Sequence, residues 1–123
     1  MGRGTYEPGL AIGITSPDAH LRQYVVSTTQ EELDPAVPIV REDPVGLVRR
    51  LKAEDGLDIW LGGGGKLAAT LRDEIDELIL KRNPLVLGSG IPLFDGPFAP
   101  QTFVPADSRD FDSGLGITRF TMA

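Results

Sequence analysis

The sequence predicts an α/β fold with a mostly parallel sheet and an antiparallel C-terminal edge. Three observations carry that prediction: short β-branched runs alternate with helical segments, the apolar run 57–61 suits a strand covered on both faces, and two strand-like segments close the chain around a turn. With 123 residues, 41% of them hydrophobic and 24% charged, one soluble domain is expected rather than a disordered chain.

The opening "MGRGTYEPGLAIGITSPDAH" is rich in glycine and proline and holds at most a short helix. "QYVVS" (23–27) and "VPIVR" (37–41) read as buried strands, with polar connection between them. Asp43 is an N-cap residue, Pro44 stands at the first helical position, and Val45, Leu47, Val48 and Leu51 give a helix of about three turns with one apolar side. "LDIWL" (57–61) reads as a strand, and after four glycines Leu67, Ala68, Ala69 and Leu71 form a helical face. "DELILKR" (76–82) and "PLVLG" (84–88) read as strands, with a bend or bulge at Pro84. "GSGIPLFDGPFAP" (88–100) is a long loop, and "TFVPADSRDF" and "LGITRF" form a strand pair joined by a turn at Asp112, Ser113 and Gly114.

Composition excludes several function classes. The chain has no cysteine and one histidine, so thiolate metal sites are excluded and no metal site is expected. His20 reads as a solvated loop residue. The net charge of −6 and the scattered basic residues argue against nucleic-acid binding. No apolar run approaches the ~18 residues of a membrane span, and the expected location is the cytoplasm.

The four glycines Gly62 to Gly65 raise the functional question. A glycine turn between a strand and a helix lets a phosphate approach the backbone, and helix-start amides favour negative charge. Lys66, unfavourable beside the positive end of a helix dipole, fits a nearby anion. Neither common phosphate motif is present, because Leu67 stands where a P-loop needs Ser or Thr and where a dinucleotide fingerprint needs Gly or Ala. Spacing alone leaves anion binding and a merely tight turn both open.

Three ordered segments, "MGRGTYE" (1–7), "YVVSTT" (24–29) and "DIWLGGGGKLAATL" (58–71) with the strands after it, resemble the dihydrofolate reductase superfamily. The likeness is closest to the branch holding the C-terminal reductase domain of the riboflavin biosynthesis protein RibD. The resemblance implies a dihydrofolate reductase-like three-layer fold and hydride transfer from NADPH. It implies cofactor contacts at Arg3, Gly4 and Thr5 for the phosphates, and at Ser27 and Thr28 for the adenosine ribose and its 2′-phosphate. It further implies a glycine loop, Gly62, Gly63, Gly64 and Gly65 followed by Lys66 and Leu67, containing a cis peptide and lying under the pyrophosphate. The substrate implied is a small pterin- or pyrimidine-like molecule, as in reduction of 5-amino-6-(5-phosphoribosylamino)uracil to its ribityl product.

In the family a strand and a helix precede Met-Gly-Arg, whereas here that methionine is Met1. A sheet lacking a central strand exposes edges, so a homo-oligomer or a marginally stable chain is expected. Asp58, Asp73 and Glu77 are available carboxylates that read as surface charges, and no catalytic residue is identified. A different class of function, nucleotide binding without catalysis, is the alternative.

Overall fold

The computed structural model describes residues 1–123, which divide into two compact units. The first holds Met1–Arg72 with Pro92–Gly96, and the second Asp73–Ile91 with Pro97–Ala123.

In the first unit, helix α1 (Arg3–Leu10) precedes a two-stranded parallel sheet of β1 (Val25–Val26) and β2 (Ile39–Val40). Val25 lies opposite Ile39 and Val26 opposite Val40, so both strands end at the same edge. Tyr6, Val25 and Val37 form the buried centre, and Met1, Leu10 and Ile39 pack against it. Tyr6 keeps its polar end satisfied by donating to the Thr15 carbonyl at 2.5 Å, and Thr15 Oγ1 donates to Asp34 at 2.8 Å. The Ala36 amide and the Thr15 hydroxyl, in that order, lower the Asp34 pKa below its usual value. Gln23, also buried, accepts from the Asp18 amide and donates to Ser16 Oγ.

Helix α2 (Pro44–Lys52) starts where the cap chemistry places it, with Asp43 accepting from the Gly46 amide at 2.9 Å. Arg49, Arg50 and Lys52 in its last turn suit the negative end of the dipole. Asp43 itself adopts a left-handed conformation (φ 47°), and a Cβ at Gly46 would overlap its carboxylate. Asp43→Ala is therefore expected to lower stability by about 1 to 2 kcal/mol in urea denaturation, because the cap bond is lost and the strained backbone is kept. Asp43→Gly, which relieves the strain, is expected to cost only a few tenths. Equal effects of the two substitutions would contradict this account.

Helix α3 (Gly65–Thr70) begins at the last of the four glycines and buries Leu67 and Ala68, with Leu71 buried just beyond its end. The segment 92–96 crosses it: the Asp95 amide donates to the Gly65 carbonyl at 2.9 Å, and a Cβ at Gly96 would come within 2.6 Å of Ala69 Cβ.

The second unit is a three-stranded antiparallel sheet, in the order β3 (Glu77–Arg82), β5 (Gly116–Met122), β4 (Phe103–Asp110), after a short 3-10 turn at Arg72–Glu74. The strand pair expected at the C-terminus is there, and β3 joins it, so the antiparallel part has three strands rather than two. The turn 111–115 is closed by the Gly114 amide on the Phe111 carbonyl and the Phe111 amide on the Leu115 carbonyl. A register shift between Pro105 and Asp107 marks the edge strand β4, a position that tolerates proline's missing N–H.

Two expected strands are absent. Residues 57–61 belong to no ladder, and Leu57 is 98% and Trp60 72% exposed, so this is not a strand buried on both faces. The cause is non-local: β1 and β2 pair with each other, and no segment pairs with 57–61. Residues 84–88 are likewise not a strand, with Val86 96% exposed. Pro84 has no N–H for a ladder, both sides of β5 are already taken, and the proline ring lies against the hairpin turn, 3.0 Å from where a Gly114 Cβ would stand.

Candidate nucleotide-binding site

The first unit brings three of the singled-out segments to one place. Met1–Gly2 runs beside β1, with the Met1 nitrogen donating to the Tyr24 carbonyl at 2.8 Å, the Met1 carbonyl accepting from the Val26 amide at 2.9 Å, and Gly2 bridging to Val26 in parallel. On its other side the Gly2 amide donates to the Gly63 carbonyl at 3.3 Å. The end of β1, the start of α1 and the glycine loop thus meet around one dipeptide.

Each segment has its own chemistry. Helix α1 is capped by Gly2 with no side-chain cap and no acid in its first turn. The Thr5 and Tyr6 amides bond the Gly2 carbonyl, while those of Arg3 and Gly4 are among the helix-start donors that have no intrahelical acceptor. Arg3 carries a positive charge at the positive end of the dipole, bonded to Glu7 at 3.2 Å and donating to Thr29 Oγ1 at 2.7 Å. A Cβ on Gly4 would meet nothing within 4 Å, so no contact within the protein requires glycine there.

The turn after β1, exposed at Thr28 and Thr29 and half-buried at Ser27 and Gln30, is held by several hydrogen bonds. Ser27 Oγ accepts from the Thr29 amide at 3.2 Å and the Gln30 amide at 3.0 Å. A hydroxyl has two acceptor positions and one proton, so Ser27 retains only its O–H for anything outside the turn. Arg41, one residue past β2, donates to the Thr28 carbonyl at 3.1 Å and the Gln30 carbonyl at 2.8 Å. Sequence reasoning singled out Ser27 and Thr28 but missed Thr29 as the partner of Arg3, and it missed Arg41 altogether. The available signal was position, since Arg41 follows a parallel strand at its carboxyl end, where open α/β sheets place ligands.

The four glycines have different reasons to be glycine. Gly63 and Gly64 turn the chain at positive φ, 110° and 89°, which side-chain-bearing residues rarely adopt. No peptide bond in the protein is cis, so the cis peptide that the resemblance implied is not there, and these two positive-φ glycines make the corner. A Cβ at Gly63 would stand 3.3 Å from Thr5 Oγ1, which places Thr5 beside the loop, while Gly64 faces open space. Gly65 is different: its Cβ would overlap the Pro92 carbonyl oxygen, so packing alone demands glycine there. Gly62 meets only Met1 Cβ at 3.6 Å. Lys66 is exposed, and Leu67 turns its side chain into the interior.

Residues 14–116 match the family of the RibD C-terminal domain. The chain is 35% identical over 96 residues to the uncharacterized protein YyaP of Bacillus subtilis (strain 168), covering 76% of this chain and 51% of YyaP. It is 37% identical over 97 residues to the uncharacterized protein YwjB of the same organism, covering 76% and 56%. The crystal structure of a Shewanella sp. PV-4 protein named for riboflavin biosynthesis superposes with a TM-score of 0.82 at 26% identity, over 100% of this chain and 72% of that one. The chain therefore spans little more than half the length of the two Bacillus relatives. No helix is long and apolar enough to cross a membrane.

Proposed function

Because this chain belongs to the RibD C-terminal domain family, we propose that it binds NADPH between α1, the Ser27–Gln30 turn and the glycine loop, and acts as a reductase of that family's type. The observation that carries the reading is the convergence of these three segments on Met1–Gly2, with Arg3 bonded across to Thr29 and Thr5 beside Gly63. The donor set suits a phosphorylated ligand. The Arg3 guanidinium and the Arg3 and Gly4 amides offer only donors, and Ser27 has only its proton left to give. Gly4 and Gly64 leave space through which a pyrophosphate can reach the backbone.

Bound NADPH would supply the hydride, and the chain's part is to orient it. Arg3, Thr5 and Gly62 to Gly64 would hold the pyrophosphate, and Ser27 with Thr28 the adenosine ribose and its 2′-phosphate. Gly65 and Leu67 act from behind, by packing the start of α3. The substrate class proposed is a pyrimidine or pterin bearing a reducible imine or carbonyl, in line with the naming of the Shewanella protein.

A second reading, binding without turnover, is favoured by the state of residues 57–61: Leu57 and Trp60, just before the loop, lie exposed rather than walling a pocket. Among the carboxylates considered as acids or bases, Glu77 is committed to Arg119 at 3.0 Å and Asp73 accepts from Gln101 at 3.3 Å. The two readings separate in an assay of NADPH consumption across a panel of phosphoribosylamino-pyrimidines and dihydropterins. Turnover with any of them supports the reductase, binding of NADPH without turnover selects the second reading, and no binding removes both.

A further inference from the structure

We propose that Arg41 is the positioning residue for the phosphorylated end of the nucleotide site, and that preference for NADPH over NADH depends on it; the inference rests on the NADPH reading above. Its guanidinium bridges the Thr28 and Gln30 carbonyls, at 3.1 and 2.8 Å, on the far side of the turn whose amides are gathered by Ser27 Oγ. With its carbonyls fixed by Arg41, its amides by Ser27 and the Thr29 hydroxyl by Arg3, the turn has one geometry in which the Ser27 proton can be offered outward. Register explains how Arg41 reaches it: Ser27 N donates to the Val40 carbonyl at 3.0 Å, so the residues after β1 and β2 leave the sheet side by side.

The contacts use two of the five guanidinium N–H donors, and the side chain is exposed. The remaining donors and the charge belong to the same turn that Arg3, itself paired with Glu7, bonds through Thr29 Oγ1, so two guanidinium groups reach one hydroxyl-rich turn in a chain of net charge −6. That placement suits a phosphate monoester, which carries close to two negative charges and takes charge-assisted hydrogen bonds, and it gains much less from an unphosphorylated ribose hydroxyl. A lysine could keep the charge but could not bridge two carbonyls with a planar fork.

The test uses calorimetric titration of wild type, Arg41→Ala and Arg41→Lys with NADPH, NADH, 2′,5′-ADP and 5′-AMP, with amide hydrogen exchange of the unliganded proteins. Arg41→Ala is expected to weaken NADPH and 2′,5′-ADP by about tenfold or more, leave NADH and 5′-AMP within about threefold, and speed exchange at Thr29 and Gln30. Arg41→Lys should follow Arg41→Ala in exchange and recover less than half of the lost binding free energy. Wild-type preference for NADPH that survives Arg41→Ala unchanged overturns the inference while leaving the nucleotide reading standing. Absence of binding by wild type removes that reading and this one with it. Unchanged exchange at Thr29 and Gln30 in Arg41→Ala overturns the positioning role whatever binds.

Discussion

Tyr6→Ala is expected to lower the stability of the first unit by about 3 to 5 kcal/mol, enough to unfold much of it at ambient temperature. Tyr6 is 1% exposed and is the largest of the three fully buried side chains, the others being Val25 and Val37. A core that small has no second layer to collapse into the space left by a lost ring, so transfer and cavity costs both apply. Tyr6→Phe isolates the hydroxyl. It keeps the ring, removes the bond to the Thr15 carbonyl, and should cost about 1 kcal/mol, or somewhat more because that carbonyl is left without its donor. Circular dichroism during urea denaturation distinguishes these outcomes, and a Tyr6→Ala chain as stable as Tyr6→Phe would contradict the assigned core. Because Tyr6 follows Arg3, Gly4 and Thr5 on one helix, its loss should also remove nucleotide binding.

Alanine at two neighbouring glycines should give opposite phenotypes. Gly65→Ala drives a methyl into the Pro92 carbonyl and against the Asp95 backbone nitrogen, 3.3 Å away, so α3 and the segment crossing it must separate. The expected loss is about 3 kcal/mol, at the upper end for overpacking because the obstacle is backbone. Gly64→Ala meets no atom within 4 Å and suffers only from its backbone conformation (φ 89°, ψ 144°), one that residues with side chains rarely adopt, a cost of about 1 to 3 kcal/mol that is expected to leave the protein folded. Its methyl stands over the loop where a pyrophosphate would lie, so NADPH affinity should fall about tenfold or more. Thermal denaturation and calorimetry on both variants check the pair. A folded Gly64→Ala protein with undiminished NADPH binding would place the ligand elsewhere.

How much of this was readable beforehand follows from how local each determinant is. Helix α2 was legible because Asp43, Pro44 and the apolar spacing act within a few residues, and the C-terminal hairpin was legible because its turn chemistry is also local. Residues 57–61 and 84–88 were misread because an apolar run reports what a strand would bury, not whether a partner strand is present to bond it. Helix α1 gave almost no periodic signal, since Gly4, Pro8 and Gly9 interrupt eight residues, and only the resemblance picked out its start.

At the site, the sequence placed the glycine loop and the hydroxyl-rich turn but could not say which glycine answers to backbone conformation and which to packing. Gly65 is fixed by Pro92, 27 positions later, and that contact leaves no trace near "GGGG". Arg41 offered only its place at the end of the strand-like run 37–41, because its contacts with the turn depend on the parallel register of β1 and β2.

The claim that three segments form one nucleotide site is tested most directly by titrating the purified wild-type protein with NADPH and with NADH at low ionic strength. Heat of binding and the emission of Trp60, the only tryptophan, would be read together with amide shifts at Thr5, Ser27 and Gly63. The account predicts saturable binding at a single site, tighter for NADPH, with all three amides shifting in the same titration. No heat and no shift with either nucleotide, or shifts confined to one of the three segments, would contradict it.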